Sequence, residues 1–124
     1  MDCKIKVSTQ YHVILDSGTI ILPANEYCEF EIENLRFRFS FFERAEENDQ
    51  EKKSEITGAL VQEGGGSYLS FNIVNFDGPF STPRRLLEVG TLNGKKLFFS
   101  FSVGALVGND NPSRIFHYTW YTEK

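Results

Sequence analysis

The chain has 124 residues, which is room for one domain and not two. Hydrophobic residues make up 40% and charged residues 24%, which excludes wholesale disorder, and no apolar run approaches the roughly 20 residues of a membrane span. A formal net charge of -4 argues against nonspecific nucleic-acid binding.

In chain order, the apolar residues recur with period 2 almost everywhere, the mark of half-buried strands. Cys3, Ile5 and Val7 alternate with Lys4 and Lys6. Tyr11, Val13 and Leu15 form a second strand, Ser17-Gly18 reads as a turn, and Thr19 to Leu22 as a short strand ended by Pro23. Cys28, Phe30 and Ile32 alternate with Glu29 and Glu31 up to a tight turn at Glu33-Asn34. Beyond it Leu35, Phe37, Phe39 and Phe41 alternate with Arg36, Arg38 and Ser40, a spacing that would scatter the rings around a helix. Cross-strand pairing with Glu29, Glu31 and Glu33 accounts for Arg36 and Arg38 without a ligand.

Residues 43 to 55 are the one stretch open to a helical reading, and they lack an apolar stripe. Six acids and three bases there give a net of -3 and leave -1 for the rest of the chain. The expectation is a solvated, dispensable connection, with an acidic arm for a basic partner as the sharper alternative.

The second half repeats the pattern. Ile56, Gly58 and Leu60 lead to a hairpin loop at residues 63 to 67, and Leu69, Phe71 and Ile73 follow. Leu86 to Val89 is short and strand-like, and Asn93-Gly94 is a type I′ hairpin signal ahead of Leu97, Phe99, Phe101 and Val103. The last strand has Ile115, His117, Thr119 and Tyr121 on one face and Phe116, Tyr118 and Trp120 on the other. Roughly nine strands at this spacing predict an all-β fold: a single domain over 1–124, an antiparallel two-sheet β-sandwich, Ig-like or jelly-roll-like. Phe37, Phe39, Phe71, Phe99 and Phe101 are its expected core.

No motif carries chemistry. There is no GxSxG nucleophile elbow and no P-loop, so no catalytic residue is assigned and an enzyme ranks third. Two Cys and two His without CxxC or HxxxH spacing give no metal site, and no cofactor is implied. The N-terminus lacks a secretory h-region, so a cytoplasmic address with free thiols is expected. The irregular stretch from Asn75 to Arg85 holds two Phe, two Pro and an Arg pair, the composition of an interface anchor. Phe76, Phe80, Arg84 and Arg85 are therefore the expected binding residues, joined by His117 and Trp120 from the aromatic last strand.

The runs Leu87 to Leu97, Phe101-Ser102-Val103 and His117 to Tyr121, with Leu15 to Thr19 and Glu31 to Phe37, resemble a family of small bacterial proteins known only as a domain of unknown function. The resemblance implies an intracellular bacterial or mobile-element origin and supplies no activity. The expected function is a non-catalytic binding module with a protein partner, such as an accessory or inhibitor protein of bacterial or phage origin. The alternative is a module that sequesters a small ligand between the Phe76–Arg85 loop and the Tyr118/Trp120 face. Self-association stays open.

Overall fold

A computed structural model describes residues 11–47, 52–64, 68–77, 84–107 and 113–124, and for 44–47, 52–54, 74–77 and 105–107 it describes the backbone alone. Among the described residues there are eight strands: β1 (His12–Pro23), β2 (Tyr27–Ile32), β3 (Leu35–Glu47), β4 (Lys52–Gln62), β5 (Tyr68–Asp77), β6 (Arg85–Leu92), β7 (Lys95–Val107) and β8 (Ser113–Glu123). The expected strand at Cys3–Val7 lies outside the described residues. Two antiparallel sheets form, in the orders β1-β8-β7-β6 and β2-β3-β4-β5. Each strand neighbours the next in sequence except where β1 to β2 and β5 to β6 change sheets, and β1 returns to pair with β8. This is an up-and-down meander. It replaces the Greek-key connection that an Ig-like or jelly-roll sandwich would carry.

The alternating rings are what drive the sheets together. Phe37, Phe39, Phe41, Ile56, Leu60 and Phe71 from one sheet face Leu97, Phe99, Phe101, Val103, Phe116 and Trp120 from the other, all buried. Phe39 sits at the centre, with ring centroids 5.7 Å from Phe71, 5.4 Å from Phe99, 5.3 Å from Phe101 and 5.0 Å from Phe116. Each ring removed from water contributes about 1.5–3 kcal/mol, and edge-to-face pairs add roughly 0.5–1.5 kcal/mol each.

Three departures from strict alternation have local causes. Residues 12–23 form one strand and not two, because Ser17-Gly18 is not a turn. Gly18 lies under the Tyr118 ring, where an added Cβ would stand 3.2 Å from Oη. The register slips near Leu15, which lets Leu15, Ile20 and Leu22 all reach the core. A second bulge between Glu88 and Gly90 allows Val89 and Leu92, three residues apart, to point inward together. Gly90 there takes φ 147, a conformation that favours glycine. The Asn93-Gly94 turn has φ 53 and φ 80, the two positive values its type requires.

The third departure is at residues 43–55. The backbone stays in strand to Glu47 and resumes at Lys52, with Glu46 in register with Lys53, so no helix forms in the described part. Glu43 is no solvated residue either. It continues the inward phase of Phe37, Phe39 and Phe41, and its carboxylate meets the fully buried Arg114 of the opposite sheet. Arg114 Nε and Nη2 each donate to a Glu43 oxygen at 2.7 Å, and Nη1 donates to the Gly104 carbonyl at 3.3 Å. This bidentate clamp ties β3 to β8.

Removing one partner of the clamp strands the other charge, so Arg114→Met should cost about 3–5 kcal/mol, while Arg114→Met with Glu43→Leu should cost less than the single change. Chemical denaturation of both variants checks this, and a double variant worse than the single would contradict it. Gly58 gives a second test. A Cβ there would overlap the Phe71 ring and the Ser40 carbonyl oxygen. Gly58→Ala should therefore lose roughly 1–3 kcal/mol despite the better strand propensity of alanine; an unchanged melting temperature would show that Phe71 does not lie on that glycine.

Candidate functional site

Of the six residues expected to bind a partner, those whose side chains are described do not share a surface. Phe76 belongs to β5 and not to a loop, in register with Ser54 of β4. Phe80 lies outside the described residues. Arg84 and Arg85 stand at the start of β6, in the other sheet. Arg84 Nη1 reaches the Ser100 carbonyl at 3.5 Å, a long contact, and its buried Nε has no partner among the described residues. Burial lowers the guanidinium pKa. Arg85 is exposed, opposite Phe101. His117 is half-buried on the outer face of β8, its Nδ1 3.0 Å from the Thr19 hydroxyl, which satisfies it locally.

Trp120 is 0% exposed, so it offers no surface to a partner. Its ring is 4.6 Å from Phe99 and 4.7 Å from Phe37. The inward face of β8 is packed with core rings. Tyr118 sits at the rim, and its hydroxyl donates to Asp16 Oδ2 at 3.3 Å.

The described surface concentrates exposed rings elsewhere, on the outer face of the β2-β3-β4-β5 sheet. Tyr27 is 55% exposed, Phe42 52% and Tyr68 66%. The register explains why a groove forms between them. Tyr27, Ser40, Ala59 and Ser70 fall in one row across the four strands. Three small residues in that row leave a trough. The row on one side carries Phe42 and Thr57, and the row on the other carries Arg38, Val61 and Tyr68. Alternate residues on a strand are about 7 Å apart, so the flanking rows stand about 14 Å from each other. The resulting groove holds about 600 Å³ and is lined by Tyr27, Arg38, Ser40, Phe42, Ala59 and Tyr68 among others.

Arg38 is fixed at its margin. The guanidinium lies 4.7 Å from the Tyr27 ring centroid and 2.8 Å and 3.5 Å from carboxylate oxygens of Glu63 and Glu29. The expected cross-strand Arg–Glu pairing is thus present for Arg38. Tyr27 and Tyr68 fall on the outward phase of their strands, in register with Ser40 and Val61, so exposed rings beside small residues are the sequence signal that marks this face. Phe42, which breaks the alternation directly after Phe41, was the other available signal.

Among the described residues no group of three or more His, Cys, Asp or Glu side chains is placed to hold a metal ion. Cys28 is a free thiol, packed against the core, and burial pushes it up to about 11. Among the described residues no helix is long and apolar enough to cross a membrane.

These features define a small all-β sandwich domain with a filled interior and an aromatic-rimmed groove on its outside. The chain belongs to a family described as a domain of unknown function, DUF6864, whose model matches residues 6–123. No curated protein and no solved structure matches it.

The Cys28 thiol yields a pH prediction. Its pKa is raised in the fold from the ordinary 9.0 to about 11, so the folded state favours the protonated thiol. The associated stability is whole below about pH 9 and is lost as pH rises toward 11. Tyr118 and Tyr121, also raised by burial, act in the same direction. The wild-type melting temperature should fall over this window more steeply than that of Cys28→Ala; parallel slopes would contradict the assignment.

Proposed function

We propose that this protein is a non-catalytic intracellular binding module that holds a protein partner in the groove of the β2–β5 sheet. The observation that carries this reading is the cluster of Tyr27, Phe42 and Tyr68, each more than half exposed, around a floor of small residues beside Arg38. Exposed rings cost solvation unless something covers them, and Tyr and Arg are the residues most enriched among binding hot spots. The meander supports the same conclusion indirectly. Up-and-down sheets that carry ligands hold them inside, and here the inside is filled by Phe and Trp rings. An accessory or inhibitor role in a bacterial or phage context, in the cytoplasm, fits a small acidic domain of this kind. A small ligand is the second reading, because the groove's volume falls in the range of small-molecule sites.

Affinity capture from the host cell separates them. The wild type should retain a protein that Ala59→Arg, which fills the trough from its floor, does not retain. Tyr68→Ala should weaken the same complex by about 2 kcal/mol or more. Retention unchanged in both variants, or lost instead on Arg85→Ala at the opposite sheet, would refute the groove assignment. A metabolite released from the wild type, with no protein retained, would favour the second reading.

A further inference from the structure

Among the described side chains, carboxylates outnumber guanidiniums around the groove. Of these, the groove's own lining holds one carboxylate, Glu26, and one guanidinium, Arg38, while Glu29, Glu31, Glu55 and Glu63 stand around it on the same strands and turn with Arg36. Arg38 is shared between Glu29 and Glu63, so it presents no free positive charge to an incoming group. Glu55 accepts a hydrogen bond from Asn72, which neutralises nothing. Glu26 lines the groove itself and Glu31 stands exposed in the strand beside it, opposite Arg36, and neither forms an ion pair with another described residue. The surroundings of the trough therefore combine aromatic faces with a surplus of carboxylates.

We infer that the occupant of this groove is a cationic, extended segment of the partner protein, one that presents Arg or Lys side chains to the rings and carboxylates. The inference rests on the groove being the binding site. The molecule already contains the contact it calls for: the Arg38 guanidinium lies over the Tyr27 ring and is held there by carboxylates. Tyr68 and Phe42, exposed on either side of the trough, are free to receive a second such cation from outside. Flanking rows about 14 Å apart leave room for one extended chain between them and not for a helix with its side chains, whose diameter is about 10–12 Å before the flanking rings are counted. A nucleic-acid strand would meet the same carboxylates with like charge.

The test uses two labelled decapeptides, one alternating Arg with Thr and one alternating Glu with Thr, in fluorescence anisotropy titrations against the whole protein at physiological ionic strength. The Arg peptide should bind and the Glu peptide should not. Tyr68→Ala and Phe42→Ala should each weaken the Arg peptide at least tenfold, and Glu26→Gln should weaken it by a smaller factor. Both ring positions are exposed, so the variants should melt like the wild type, and that is measured alongside. Failure of the Arg peptide to bind would overturn the inference. So would binding that survives both ring truncations, since that is attraction to an acidic surface without use of the groove. If a captured partner still depends on Ala59 and Tyr68 while the Arg peptide fails, the groove remains the site and only the cationic occupant is wrong. If the partner ignores those positions, the groove assignment itself has failed.

Discussion

Between the sheets, Phe39 touches rings from both layers, Phe71 in its own sheet and Phe99, Phe101 and Phe116 in the facing one. That packing constrains everything else in the molecule. It requires phenylalanine on the inward phase of β3, β5 and β7, a glycine at position 58 so that Phe71 can lie flat against the strand, and bulges where the inward phase must be reset. It also fills the space between the sheets among the described residues. A fold whose connectivity elsewhere suits an internal ligand is here a solid block with two outer faces.

The Glu43–Arg114 pair acts at the end of this block. A buried ion pair adds little net stability compared with apolar side chains of the same shape, because desolvating both ions costs about what their attraction returns. What it does contribute is direction. A guanidinium bound through two parallel hydrogen bonds fixes the relative position of β3 and β8, a job that a greasy contact between sliding rings does less sharply. The same strand β3 carries Arg38, Ser40 and Phe42 on its other side, so the clamp that sets the inner register also sets the row that forms the groove.

Most of the fold was legible in the sequence because its signal is local. Alternation of Phe37, Phe39, Phe41, Phe99 and Phe101 identified strands and inward phase together, and Asn93-Gly94 and Glu33-Asn34 located turns. What local pattern could not show was topology, since a meander and a Greek key use the same strands. Gly18 was read as a turn because glycine serves both turns and close approach, and only the Tyr118 ring above it distinguishes the two. Glu43 was grouped with its acidic neighbours when its phase placed it inward. The site was less legible. Adjacency in sequence makes Phe76 and Arg84 look like one loop, yet Phe76 lies on β5 and Arg84 immediately precedes β6 of the other sheet. Residue type alone suggests an interface ring at Trp120, though its phase with Phe116 puts it in the core. The groove depends on Tyr27, Ser40, Ala59 and Ser70 falling into one row, which is a property of register across four strands and has no trace in any one of them.

The central claim is that recognition occurs on the outer face of the β2–β5 sheet and not at the Arg84–His117 side. Backbone amide resonances of the isotopically labelled protein, followed as the partner recovered from its host cell is titrated in, test it most directly. The account predicts that the perturbed amides cluster at Tyr27, Arg38 to Phe42, Thr57 to Val61 and Tyr68 to Ser70. Perturbations confined to Arg84 to Leu87 and His117 to Thr119, with the groove residues unmoved, would contradict it.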